Sequence, residues 1–199
     1  MTMADELPVE YFPDRESFAT WLREHHTDSP GIWVALAKKG SAHPSVSYAE
    51  VVEELLCHGW IDSQARRLDD DFRLQRITPR RARSPWSQRN RELVERLEAE
   101  GRLSAAGAAE VARARADGRW ERAYPGQATA QMPQDFLDAL AGNPAARAFY
   151  DTLDGRNRYA IVYRLQAAKR PETRARRIEA FVRQLAEGRR FHDQPGRTQ

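Results

Sequence analysis

Several things are scarce in this chain of 199 residues, and each scarcity excludes something. There is one cysteine, Cys57, so no internal disulfide framework exists and a reducing compartment is the expectation. No run of about eighteen apolar residues occurs, so no membrane insertion is expected. The N-terminal MTMADELPVEYF is acidic and has no apolar core, so it does not read as a secretory signal, and with the single cysteine a cytoplasmic location is the expectation. The five histidines show no H-x-x-H or H-E-x-x-H spacing, so no metal is expected. There is no phosphate-cradling glycine loop and no G-x-S-x-G, and no cofactor is implied. Lysine is rare: only Lys38, Lys39 and Lys169 among thirty-two basic residues, the rest being arginine. A GC-rich genome would favour that arginine excess, which makes each lysine a candidate for a place that needs a compact ammonium.

What is present is globular and polar, with 41% hydrophobic residues and a net charge of +3. Asp14 is placed to cap a helix to about His25. Residues 32–39, IWVALAKK, read as a strand. Ser47 and Glu50 form a capping box for a helix whose apolar face is Val51, Val52, Leu55 and Leu56, closed by Gly59. Residues 61–67 and 72–78 read as a hairpin across Asp69-Asp70-Asp71. Ser87 caps a helix ending at Gly101, and Ser104 opens an alanine-rich helix. Residues 118–131 read as a loop with two aromatics. Pro133, Pro144 and Pro171 each suit the first turn of a further helix. The last helix carries Ile178, Phe181, Val182 and Leu185 and stops at Gly188.

The expected fold is therefore α+β and mainly helical. A small three-stranded antiparallel or mixed sheet with helices spans 11–90, and a helical lobe spans 91–188, the two packing as one compact unit. Residues 1–10 and 189–199 are expected to be flexible tails.

Three clusters could carry chemistry. In Gly59-Trp60-Ile61-Asp62 the strand period puts Trp60 and Asp62 on one face, so Asp62 could act as a general acid or base beside a desolvating aromatic. The plain alternative is a core tryptophan and a hydrogen-bonded acid. Between Arg80 and Arg91 there are five arginines and no acid, entering a helix start whose free N–H groups favour an anion. The plain alternative is a structural arginine network. Residues 169–177, KRPETRARR, repeat the pattern at a second helix start, with a solvated basic face as the alternative. Cys57 and His58 are neighbours on a helix and point about 100° apart, a poor nucleophile–base pair.

The motifs WVALAKK, SYAEVVEELLCHGWID, ITPRRARSPWSQRN, GRWERAY and AAKRPETRARRIEAFVRQLAEG, in that order, closely resemble the YdeI/OmpD-associated, or bacteriocin-protection, family from about Phe18 to Gly188. The family more often has an aromatic where His58 stands and Asn where Pro85 stands. The three lysines fall where the family pattern also has lysine. The resemblance implies a soluble bacterial protein linked to envelope stress, bacteriocin protection and resistance to cationic antimicrobial peptides.

The leading expectation is a protein that binds an anionic small molecule, bearing phosphate or carboxylate, between its lobes. Trp60 and Trp86 would wall the site. Lys38, Arg80, Arg81, Lys169 and Arg174 would supply charge, and Asp62 and Asn90 would orient the ligand. One alternative is a cofactor-free enzyme using Asp62, with His58, as general acid or base. Another is a protein- or nucleic-acid-binding module using the arginine-rich faces. The lack of a recognised DNA- or RNA-binding signature weighs against nucleic acid.

Overall fold

A computed structural model of the chain describes residues 7–126 and 129–192. These residues fall into two compact units, divided between Ala123 and Tyr124. The helices on either side of residue 101 thus belong with the sheet rather than with a lobe beginning at residue 91.

In the first unit the order is β1 (Val9–Tyr11), α1 (Arg15–His25), β2 (Ile32–Ala37), α2 (Tyr48–Cys57), β3 (Trp60–Arg67), β4 (Phe72–Pro79), α3 (Gln88–Ala99) and α4 (Ala105–Ala116). Short polar side chains start the helices by satisfying otherwise orphaned N–H groups. Asp14 accepts from Ser17 N at 2.8 Å, and Ser87 accepts from Asn90 N at 3.1 Å. Ser47 and Glu50 bond reciprocally as a capping box. Gly59 follows α2 with φ 74°, a left-handed position that favours glycine.

The sheet has four strands in the order β1-β2-β4-β3, not three. The added strand, β1, runs parallel to β2, with Val9 opposite Trp33 and Tyr11 opposite Ala35. It lies in what reads from sequence as a loose lead. Three residues are too few to show a two-residue period, and their strand character comes from pairing with β2.

One sheet face carries Ile32, Val34, Leu36, Trp60 and Ile77, which pack with Phe18, Leu22, Val51 and Leu55 of α1 and α2. The Trp60 indole donates to His26 O at 3.1 Å and meets Trp21 edge-on at 5.9 Å. The opposite face carries a separate small cluster of Trp33, Ala35 and Leu74, joined by Leu7 and Phe72.

A second core joins α2, α3 and α4 through Val52, Leu56, Cys57, Trp86, Val94, Leu97, Val111 and Trp120. Gly107 makes this approach possible, since a Cβ there would lie 2.3 Å from Cys57 O. At the rim, Arg15, Arg96 and Arg102 all pair with Glu53, and Arg15 and Arg102 also hold Glu54, at 2.7 and 2.8 Å. Sequence periodicity marked only the apolar side of α2; its two consecutive glutamates tie three elements together.

The second unit holds α5 (Gln134–Ala141), α6 (Pro144–Asp151), α7 (Gly155–Gln166) and α8 (Pro171–Ala186). Prolines begin α5, α6 and α8 as expected, Pro133 sitting at the cap of α5. Helix α7 has no proline and starts instead on Asp154, which accepts from Asn157 N at 2.8 Å. Phe136, Leu140, Tyr150, Ile161, Leu165, Ile178 and Leu185 form the core.

The start of the expected C-terminal tail is not loose. The fully buried Asn157 accepts from the backbone N–H groups of Phe191 and His192, both at 2.9 Å. Phe191 meets Phe181 edge-on at 4.9 Å. The expected flexibility of 1–6 and 193–199 lies outside the described residues.

Candidate functional site

The arginine-rich segment after β4 is a tight turn ahead of α3. Ser84 N donates to Arg81 O, and Arg81 N donates to Ser84 Oγ, both at 2.9 Å. Arg80 is buried beneath the turn. Its Nε donates to Trp60 O and its Nη1 to Pro85 O, each at 3.1 Å. The same guanidinium lies 3.7 Å from the Trp86 ring centroid. Burying a permanent cation is costly unless its N–H groups find acceptors, and the carbonyls of Trp60 and Pro85 provide them while the indole face supplies a cation–π contact.

The stack continues through residues that sequence reasoning did not include. Trp120 sits against Trp86 with centroids 5.1 Å apart. Arg91 and Arg115 lie 5.3 and 4.9 Å from the Trp120 centroid. Arg119 donates through Nη1 to Ser84 O at 3.0 Å and pairs through Nε with Asp117 at 2.7 Å. Arg115 pairs with Glu98 at 2.9 Å. The signal for Arg119 and Trp120 was the GRWERAY motif, legible as a motif but not as a neighbour of Trp86.

Three N–H donors in this stack are buried without a hydrogen-bond partner among the described residues: Trp86 Nε1, Arg91 Nε and Arg119 Nη2. A buried donor left unsatisfied costs about 1–3 kcal/mol. Anion oxygens are the kind of acceptor that would satisfy such donors, and the start of α3 beside them carries a dipole that favours negative charge. It holds no ready nucleophile. Cys57 is buried, and its thiol is pushed up to about 11 by burial, then by Glu54.

Asp62 stands in a different cluster. It shares the Trp60 face of β3, and the register of β3 shifts immediately after it, between Asp62 and Ala65. Tyr48, from the first turn of α2, donates to Asp62 Oδ2 at 2.6 Å. Burial first, then the bond to Asp62, pushes the Tyr48 phenol well up, against the opposing charges of Arg89 and Arg73. The Tyr48 proton is therefore firmly held, with the Arg73 guanidinium 5.2 Å from its ring.

The remaining candidates are dispersed. Trp60 and Trp86 are 1% and 2% exposed, so both are core side chains, and Trp60 reaches Arg80 through its carbonyl. Lys38 sits at the hairpin tip, its Nζ donating to Asp69 O at 2.5 Å. Arg81 is exposed, and Asn90 is half-buried in the first turn of α3. His58 faces Glu54 O at 3.0 Å and the His26 ring at 5.3 Å, with no hydrogen bond to Asp62. Lys169 and Arg174 belong to the second unit. Lys169 is exposed. Arg174 grips Asp135 with two bonds of 2.6 and 2.8 Å and donates to Leu165 O at 3.0 Å.

Two family models match the chain. Residues 10–110 match a domain of unknown function (DUF8412). Residues 129–188 match the family described as Bacteriocin-protection, YdeI or OmpD-Associated. The chain belongs to the DUF8412 family and carries a YdeI/OmpD-associated domain. That domain falls within the second unit and contains the AAKRPETRARR motif, whereas GWID and TPRRARSPWSQRN lie in the DUF8412 match. The resemblance read from Phe18 to Gly188 is thus divided between two models, and Arg119 and Trp120 lie between them. No curated protein and no solved structure matches the chain. Among the described residues, no helix is long and apolar enough to cross a membrane.

Proposed function

We propose that this YdeI/OmpD-associated protein acts in the bacterial cytoplasm in protection against envelope stress, bacteriocins or cationic antimicrobial peptides, and does so by binding an anionic small molecule. The ligand site is the Arg80–Trp86–Trp120–Arg119 stack of the first unit, and the ligand bears phosphate or carboxylate. The observation that carries this reading is the group of three buried N–H donors without acceptors beside stacked guanidinium groups. Arg119 and Arg91 hold the anion, Trp86 Nε1 adds a neutral donor, and Arg80 keeps the indole in place.

The test is thermal unfolding with inorganic phosphate, pyrophosphate and citrate, each against sodium chloride of matched ionic strength. A ligand at a hundred times its Kd stabilises by about 2.7 kcal/mol. Stabilisation beyond the salt control, lost in Arg119→Gln and Arg91→Gln, supports the site. Equal melting in all salts removes it.

The 2.6 Å bond from Tyr48 to Asp62 beside a strand irregularity favours a second reading, in which Asp62 is a general acid or base on an anionic metabolite. His58 has no part in it, lacking a bond to Asp62. Turnover of a metabolite mixture by the native chain and by Asp62→Asn decides the matter: equal turnover, or none by either, rejects it.

A further inference from the structure

The sheet face turned away from α1 and α2 carries its own pattern of rings and cations. Register places Val9 and Tyr11 of β1, Trp33 and Ala35 of β2, Phe72, Leu74 and Arg76 of β4, and Arg66 of β3 on that face. None of these is acidic. Tyr11 is 44% exposed and meets Phe72 edge-on at 5.7 Å, and the His43 ring lies 5.2 Å from Phe72. The Tyr11 hydroxyl donates to Pro44 O, which fixes the ring. The Arg66 guanidinium lies 4.2 Å from the Trp33 centroid. Trp33 and Arg76 are register partners, and both Trp33 Nε1 and Arg76 Nε are buried with no hydrogen-bond partner among the described residues. Neither Arg66 nor Arg76 forms an ion pair among the described residues.

We propose that this outer sheet face binds single-stranded nucleic acid, with bases stacking on the exposed Tyr11 and its ring neighbours and phosphates meeting Arg66 and Arg76. The row Tyr11–Ala35–Leu74–Arg66 crosses three strand spacings, about 14 Å; Ala35 and Leu74 are buried, so a strand of several nucleotides meets the two ends of the row and passes over its middle. Exposed rings recruit bases that are not already paired, so a single strand fits and a duplex does not. Acid-free cations bind the backbone without reading its sequence. A sequence signature is not expected, because the face is assembled from four strands spread between residues 9 and 76.

The test is fluorescence anisotropy of labelled oligouridylate and oligodeoxythymidylate of about twelve nucleotides with the full chain at about 50 mM salt. Binding is expected, with log K falling against log salt at a slope of about −1.4 for two phosphate contacts. Arg66→Gln should reduce that slope by about 0.7. Tyr11→Ala should weaken binding about tenfold at every salt concentration. Arg66 and Tyr11 are both exposed, and melting curves confirm that each variant remains folded. Arg113→Gln, on α4 beside Glu110, removes a cation elsewhere and should change nothing. Absence of binding overturns the proposal. So does equal loss with Arg113→Gln, equal affinity for duplex DNA, or displacement by free mononucleotide at equal concentration. The anion site is tested separately: Arg119→Gln leaves oligonucleotide binding intact, and Arg66→Gln leaves phosphate stabilisation intact. Loss of oligonucleotide binding in Arg119→Gln would move the strand off the sheet and overturn the assignment.

Discussion

The chain contains two basic segments that look alike in sequence and are built in opposite ways. Arg80 to Arg91 enters α3; Lys169 to Arg177 enters α8. In the first, a serine caps the helix, Arg80 and Trp86 are buried, and three donors of the surrounding stack face no acceptor. In the second, the helix has no side-chain cap bond, Lys169 and Arg170 are exposed, and Arg174 is committed to Asp135 and Leu165. Arg177 likewise donates to Arg164 O. Density of arginine therefore does not mark a ligand site. What separates the two is burial: the first segment carries unpartnered N–H donors of Trp86 and Arg91 inside packed structure, whereas the cations of the second are either at the surface or committed to Asp135, Leu165 and Arg164.

That contrast can be broken most forcefully at Trp86. Trp86→Ala empties a buried site between α2, α3 and α4, and should cost about 3–5 kcal/mol in denaturant unfolding. Phosphate-dependent stabilisation should vanish with it. If the stabilisation survives in folded Trp86→Ala protein, the indole is not part of the site.

Acid should act next. Burial pushes Glu53 up, but bonds from Arg96, Arg102 and Arg15 outweigh it and hold the carboxyl below its ordinary 4.5. Arg174 holds Asp135 below its ordinary 3.8. A folded pKa below the unfolded one means the unfolded chain binds more protons, so this stability is present above the unfolded value and is lost as pH falls through the folded one. Thermal midpoints should be steady from pH 7 to 5 and fall below about 4.5. Arg102→Gln should make the acid limb shallower.

Asp135→Asn sharpens the comparison. The pair is partly exposed, so its loss should cost only about 0.5 kcal/mol. It should, however, release Arg174 and make the second segment responsive to phosphate, read as a new salt-specific rise in midpoint. No such rise would mean that Asp135 is not what silences it. The smallest effect is expected from Arg81→Gln: its side chain is exposed at the turn, and stability should change by no more than about 0.5 kcal/mol.

Local signals read well from the sequence because local chemistry decides them. Asp14, the Ser47–Glu50 box, Ser87 and Ser104 mark helix starts that need only their next few residues. β1 was invisible because its identity lies in the partner strand. Helix α7 is harder to read: its aspartate cap is followed by Gly155, a poor helix former, and no proline marks its start. The pairing of Trp60 and Asp62 on one face was legible from a two-residue period. That Tyr48 would reach Asp62, or that Arg119 and Trp120 would complete a stack begun at Arg80, required packing across tens of residues that no spacing rule contains.

The Asn157 amide sets a practical limit on trimming this protein. Its oxygen takes two backbone N–H groups, from Phe191 and His192, and its nitrogen donates to His192 O at 3.2 Å. Cutting the chain after Gly188 would strip a wholly buried amide of those partners and bare Phe181 to water. A shortened version for crystallisation should keep residues through His192, and a fused reporter belongs beyond that point.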